Sequence, residues 1–252
     1  AASLRGEACK NGVARACDSL GLMTLRGEGV AANESAGIAL AARACQLEDG
    51  HACLRVAQRL RSGDGVPKDA AKAAIVMEAS CKLGFGPACE SFAFMLIEGE
   101  GVKKDPSRAL GSLTAGCLEG RRATACLLAG LELRDGQNFS RDLPAAFKLF
   151  DKGCSLGDAD SCEQAAEAYE DGAGVTKDLA RAIELYRRSA ESSGRACRAL
   201  GRIEEAGKSG RVDLRAARVW YRRGCDQGDA TSCSYLERLS RAGSGDTRSL
   251  EQ

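Results

Sequence analysis

Apolar residues fall at helical spacing along this chain, and they do so repeatedly in one register. After Cys53 the chain reads LRVAQRLRSGDGV, after Cys89 ESFAFMLIEGEGV, and after Cys162 EQAAEAYEDGAGV. Apolar or small residues stand three, four and seven places beyond each cysteine: Val56, Ala57, Leu60; Phe92, Ala93, Leu96; Ala165, Ala166, Tyr169. That spacing makes one buried stripe on an amphipathic helix. A glycine closes the stripe (Gly27, Gly63, Gly99, Gly172), where a left-handed C-cap is expected. A short Gly-x-Gly-Val loop follows. Next comes a residue able to accept a hydrogen bond from an orphan amide of a second helix: Asn33, Asp69, Asp105, Asp142, Asp178 or Asp213. Pro106 occupies the first position after its cap, where a missing N–H costs nothing. Each second helix carries alanines and, eight places after the cap, a bulky residue: Met77, Leu113, Phe150, Tyr186 or Tyr221. No segment alternates as a strand would.

The helix pairs recur with a fixed period, marked by paired cysteines. The pairs are Cys9 with Cys17, Cys45 with Cys53, Cys81 with Cys89, Cys117 with Cys126, Cys154 with Cys162, and Cys225 with Cys233. A period of this length signals a solenoid of stacked supersecondary units. Six helix pairs are expected, at about 13–49, 51–83, 86–119, 122–156, 159–192 and 194–227, with a half unit before them and a lone first helix at 230–242. Residues 1–242 then form a single solenoid, and 243–252 a polar, frayed tail. Each cysteine pair joins the end of one helix to the start of the next, and an antiparallel hairpin brings two such positions within disulfide reach.

Composition narrows the function. Thirteen cysteines with a single histidine and no CxxC read as disulfides before zinc ligands, and persistent disulfides need an oxidising compartment. Aromatic residues are 4% of the chain, so little apolar area is buried per repeat and the bonds act as staples for a lean core. Lys plus Arg number 36 against 35 Asp plus Glu, which argues against a nucleic-acid binder driven by phosphate neutralisation. No apolar run reaches membrane-spanning length. No signal peptide is visible, although the opening AASLRGEACKNG already matches the middle of a repeat and looks like a trimmed end.

Three features invite a chemical reading and receive a plain one. His51 is the one histidine, so no histidine metal site forms from one chain; a surface or groove residue is expected rather than a catalytic base. The segment ending Gly207-Lys208-Ser209-Gly210 nearly imitates a phosphate-binding loop, but its spacing is one residue long and no strand precedes it. In the sixth unit Ala190 replaces the first cysteine and leaves Cys197 without its partner; a buried, inert thiol is expected there rather than a redox or cross-linking one.

The pattern ACDSLGLMTLRGEGV (16–30) and GAGVTKDLARAIELYRRSA (172–190) resembles the Sel-1-like repeat, a relative of the tetratricopeptide repeat. The paired cysteines make it similar to the disulfide-bridged branch typified by the Helicobacter cysteine-rich proteins. The resemblance covers about residues 4–240. It implies an all-α fold, an α/α solenoid with a right-handed superhelix, export in a bacterium, and a scaffold or adaptor role. The fourth and sixth units depart from it, reading RDGQNFSRD and AGKSGRVD where Gly-x-Gly-Val is expected, so a local bend is anticipated there. Some members of the branch are linked to penicillin binding or β-lactamase activity, but the motifs Ser-x-x-Lys, Ser-Asp-Asn and Lys-Thr-Gly are absent.

In the superhelices that the resemblance implies, the first helices line a concave groove. Groove positions then lie −2, +1, +5, +8 and +9 from the second cysteine. They select Leu22, Leu25, Leu54, Phe94, Ile97, Leu127 and Leu131 in the first four units, and Asp160, Glu163, Glu167, Glu170 and Asp171 in the fifth. Arg195, Arg198, Arg202, Arg238 and Arg241 follow. Exposed apolar residues in a row mark an interaction site, while the opposed charges fit either a groove or bridges between repeats. The expectation is an exported, monomeric scaffold that binds a protein or peptide in the groove, with no cofactor, no metal, no nucleic acid and no catalysis. It is placed in the periplasm, at the cell surface or outside the cell. The rival expectations are a β-lactam-binding cell-wall enzyme, and a redox or cofactor-binding assembly factor in an oxidising organelle compartment.

Overall fold

The computed structural model of the protein describes residues 2–136 and 140–245. Among the described residues there are fourteen α-helices and no strand: α1 (Ala2–Lys10), α2 (Ala14–Arg26), α3 (Glu34–Gln46), α4 (Gly50–Ser62), α5 (Ala70–Lys82), α6 (Gly86–Glu98), α7 (Pro106–Leu118), α8 (Ala123–Asp135), α9 (Leu143–Ser155), α10 (Ala159–Asp171), α11 (Leu179–Ser189), α12 (Gly194–Glu205), α13 (Leu214–Asp226) and α14 (Ala230–Gly245). Even-numbered helices are the first helices of each repeat and odd-numbered ones the second. The lone first helix runs to Gly245, past the expected end at 242. The remainder of the polar tail, 246–252, and residues 137–139 of the irregular fourth loop lie outside the described residues.

Two compact units meet within α8, one reaching Ala129 and the other beginning at Gly130. In the first, α2 packs on α3, α4 on α5 and α6 on α7, while α3 packs on α4 and α5 on α6. The second follows the same rule with α9 on α10, α10 on α11, α12 on α13 and α13 on α14. Each unit is thus a run of antiparallel helix hairpins, the α/α solenoid arrangement expected from the repeat.

The local chemistry matches the residues that specify it. The side chains of Asn33, Asp69, Asp105, Asp142, Asp178 and Asp213 each accept a hydrogen bond from the backbone N–H three residues on. Met77, Leu113, Phe150, Tyr186 and Tyr221 are all buried. Gly27, Gly63, Gly99 and Gly172 cap their helices in the left-handed conformation. Asp49, Asp158, Ser193 and Asp229 also cap the first helices, and Val13 and Phe85 fill the same place without a side-chain bond.

The second glycine of a Gly-x-Gly-Val loop has two roles. Gly101 has φ +69°, and a Cβ there would fall on the carbonyl of Ala70 at the start of α5. Gly84, in the turn between α5 and α6, has φ +78°, but a Cβ there would meet nothing. Gly101→Ala should therefore lower the melting temperature clearly more than Gly84→Ala, because it adds a backbone clash to the conformational strain both share. Thermal unfolding of the two variants checks this, and equal shifts would show that the loop does not seat on α5.

All six expected disulfides are present. Cys9 is bonded to Cys17, Cys45 to Cys53, Cys81 to Cys89, Cys117 to Cys126, Cys154 to Cys162 and Cys225 to Cys233, with Cα–Cα separations of 4.4 to 4.7 Å. The extra residue between Cys117 and Cys126 does not widen that bridge, whose Cα atoms lie 4.6 Å apart. The turn that takes it up includes Arg121 at φ +49°. The bonds differ in their cover: Cys17 and Cys126 are fully buried, whereas Cys233 in the last bridge is half-buried. Cys197 is free and buried. Its thiol reaches the carbonyl of Ala190, the residue standing where a bridging cysteine would be, and burial pushes its pKa up. A protonated, enclosed thiol of this kind is chemically quiet.

Candidate partner-binding face

In the first unit the first helices expose apolar side chains at the expected positions. Leu22, Leu25, Leu54, Ile97 and Leu127 are half-buried, and Phe94 is 50% exposed. The exposure follows from helix geometry. Phe92, Ala93 and Leu96 turn inward and are buried, so position +5 on the same helix points away. Position +6 also turns inward, since Met95 is fully buried. Phe92 lies under the Arg108 guanidinium, 5.5 Å from the ring centroid. Phe94 has no such cover.

A cleft of about 340 Å³ opens beside these residues, with Leu22, Leu25, Ile38 and Val56 in its wall and Arg26, Arg55 and Arg59 at its rim. Carboxylates meet all three arginines: Asp18 pairs with Arg55, Glu34 with Arg59 at 2.6 Å, and Glu28 with Arg26 at 3.5 Å. Ion pairs across repeats recur in this unit, with Glu100 on Arg61 at 2.6 Å and Glu90 on Arg122 at 3.2 Å. His51 is exposed, its ring 4.7 Å from that of Phe85 in an edge-on contact.

In the second unit Leu131 is half-buried. The charged positions behave differently from the apolar ones. Glu163 is 1% exposed and Glu170 is 7% exposed, although the periodicity placed both on the open face. The next repeat covers them. Ser193 donates to Glu163 at 2.5 Å and the Arg195 guanidinium lies 2.8 Å from it. Glu170 accepts from Lys208 at 2.8 Å and from the Tyr186 hydroxyl at 3.1 Å, with Arg202 at 3.8 Å. Arg198 takes its carboxylate from elsewhere, pairing with Asp229 at 2.8 Å. Glu167 is exposed. The opposed rows thus lie side by side as expected, but much of their charge is joined between repeats. A polar cleft of about 390 Å³ remains, lined by Glu167, Glu170, Asp171, Tyr186, Arg195, Arg198, Ala199 and Arg202. Lys208, the lysine of the near-miss phosphate loop, is committed to Glu170.

These surroundings set the protonation of the two buried acids apart. Burial pushes the Glu163 carboxyl above the usual carboxylate range despite the Ser193 hydrogen bond. At Glu170 burial acts in the same direction, but the Lys208 hydrogen bond and charge and the Tyr186 hydroxyl outweigh it and hold the group low. A raised folded-state value means that the charged form is disfavoured by folding. The contribution of Glu163 to stability should therefore fall as the pH rises from the ordinary carboxylate range through its raised value. Glu163→Gln keeps the shape and stays neutral, so its melting temperature should exceed wild type at pH 7, and the gain should vanish at acid pH. Melting curves across pH decide it; a Gln variant less stable at pH 7 would show that the Arg195 pair outweighs desolvation.

Among the described residues no group of three His, Cys, Asp or Glu side chains is placed to hold a metal ion. No helix there is long and apolar enough to cross a membrane.

The Sel1 repeat model matches residues 14–49, 50–85, 78–111, 123–158, 159–193 and 194–229. Comparison with curated proteins gave no significant match. Among solved structures the chain is similar to c5321, a protective antigen of uropathogenic Escherichia coli with an SLR fold, at 25% identity and TM-score 0.81 over 93% of this chain. The chain spans 50% of that antigen's length. A Sel1 repeat protein from Oxalobacter formigenes aligns over 84% of this chain and 85% of its own, at 21% identity and TM-score 0.61. Cysteine rich protein B of Helicobacter pylori matches 52% of this chain and 93% of its own, at 24% identity and TM-score 0.41. With six repeat matches over most of its length, two structural neighbours sharing its fold, and a disulfide in all but one of its hairpin positions, the chain belongs to the Sel1 repeat family.

Proposed function

We propose that the protein is an exported scaffold that binds a protein or peptide partner on its first-helix face, read as the lining of a concave groove. Sel1 repeats generally serve protein–protein interaction, and this chain supplies a specific surface for it. The observation that carries the reading is Phe94, a large apolar side chain half exposed beside a fully buried stripe. A residue in that place leaves half of its apolar surface in water in the free chain and gains when a partner covers it. Ile97 on the same helix and Leu22, Leu25, Leu54 and Leu127 on the other first helices of the first unit are apolar and half-buried, and so is Leu131 in the second. Glu167, Arg195 and Arg202 would set the orientation of a bound chain rather than its affinity.

The six disulfides fit an oxidising, extracytoplasmic compartment. A bacterial periplasm, the cell surface or the exterior is the placement we favour. In this reading the protein acts alone as a monomer, needs no cofactor and performs no chemistry. The test is capture from bacterial envelope extract on immobilised wild-type protein and on Phe94→Asp in parallel. A protein retained by the first and lost by the second supports the reading. A protein retained equally by both places the interaction elsewhere.

A further inference from the structure

The second helices of the repeats lie on the far side of each hairpin from the first-helix face, and one of them, α13, is unlike the rest. Ala217, Tyr221 and Gly224 make its buried stripe. Arg215, Val219 and Arg222 stand four and three residues apart on the opposite side, all exposed, with Arg211 and Arg223 exposed beside them. The carboxylates in this stretch are Asp226 and Asp213, and Asp213 is occupied as the helix cap, accepting from the backbone of Arg215 and Ala216. Arg195, Arg198, Arg202 and Arg238 on the first helices of the same unit each meet a carboxylate. Among the described residues none of the α13 arginines forms such a pair; Arg218 instead donates to the Leu239 carbonyl at 2.6 Å. Three aliphatic side chains sit among these guanidiniums in the open: Val212 at 59%, Leu214 at 45% and Val219 at 67% exposure. A cleft of about 390 Å³ lies along the helix, walled by Arg215, Arg218, Val219, Arg222 and Arg223, with Asp226 the one carboxylate among them.

We infer that this face docks on an anionic lipid surface, with phosphate headgroups held by Arg215 and Arg222 and Val219 pressed into the boundary below them. Guanidinium forks match phosphate oxygens in geometry and charge. Exposed aliphatic residues between cations suit a surface that is anionic outside and apolar beneath, which is how an interfacial amphipathic face is built. The attraction adds up over several arginines and is screened by salt. The inference stands apart from the partner face, since α13 is a second helix and that face is built from first helices.

Sedimentation with vesicles tests it. The intact protein should bind phosphatidylcholine vesicles carrying roughly 30% phosphatidylglycerol, should not bind pure phosphatidylcholine, and should release as salt rises. Arg215→Gln with Arg222→Gln should weaken binding about 30-fold, given the usual contribution of a surface arginine near an anionic membrane. Val219→Asp should weaken it too, with the melting temperature unchanged. Lys103→Gln with Lys104→Gln removes the same charge from the first unit and should leave binding intact. Equal losses from the lysine and arginine variants would mean bulk charge, and would overturn the site. So would an absence of vesicle binding at low salt, capture of inorganic phosphate without vesicles, or preference for a soluble acidic protein over the vesicles.

Discussion

Reduction of the six disulfides should unfold the protein or bring its melting temperature down by tens of degrees. Each bond closes a loop of about eight or nine residues between two helix ends. In the chain-entropy account a loop of that length contributes about 2–3 kcal/mol through the unfolded state. Together the bonds supply on the order of 10 kcal/mol, which is comparable to the whole folding free energy of an ordinary domain. The core explains why so much rests on them. Its buried positions are crowded with alanines such as Ala52, Ala57, Ala73, Ala74, Ala165 and Ala166, whose burial adds little apolar area. One pair tests the increment alone: Cys81→Ala with Cys89→Ala should lower the melting temperature by roughly 5–10 °C. Thiol titration of the oxidised protein should find Cys197 alone, and only in denaturant, because it is fully buried. A reduced protein that melts within a few degrees of the oxidised one would remove the staples from the account of stability. Several titratable thiols in the native protein would remove the oxidising compartment from the account of function.

Phe94→Asp should leave folding nearly untouched and cost the partner more than about tenfold in affinity. Phe92→Ala, two residues away, should do the reverse and destabilise by about 3–5 kcal/mol. The contrast rests on a single turn of α6. Phe92 is 4% exposed and packed, whereas Phe94 is 50% exposed. Placing a carboxylate at a solvent-facing site changes little in the free protein. At the centre of an interface it removes an aromatic anchor and buries a charge, and each is expensive. Circular dichroism melts and a titration of the captured partner measure both effects. A Phe94→Asp protein that fails to fold would make Phe94 a core residue. One that folds and binds as wild type would move the function to another face.

Helix starts and stops were legible in the sequence because they are local. Asp69 or Asp105 caps a helix through an N–H three residues away, and Gly63 or Gly99 ends one through its own backbone angle. The disulfides were legible for the same reason, since each partner lies across one hairpin; even the wider spacing of Cys117 and Cys126 left their pairing unchanged. Half of the candidate face was legible too: the inward turn of Phe92 and Leu96 forces Phe94 outward whatever surrounds it.

What periodicity could not supply was the neighbour. Glu163 holds an outward position on α10, yet Ser193 and Arg195 of the next repeat bury it and burial raises its pKa. Arg198 lines the cleft beside the acids of α10 as expected, yet its ion pair is with Asp229 of the following turn. Phe85 stands where other repeats place a capping aspartate, and its ring rests against His51 of the preceding repeat. The arginines of α13, which meet no carboxylate among the described residues, were visible as letters but not as a surface, because that could be noticed only once the partners of the other arginines were in place. By itself the sequence determined the all-helical repeat, its caps, its loops and its staples, all of which depend on residues close along the chain. Tertiary structure alone decided which charges are joined, which are buried and which face is left bare, because those outcomes depend on side chains some thirty residues apart that meet only when one repeat packs on the next.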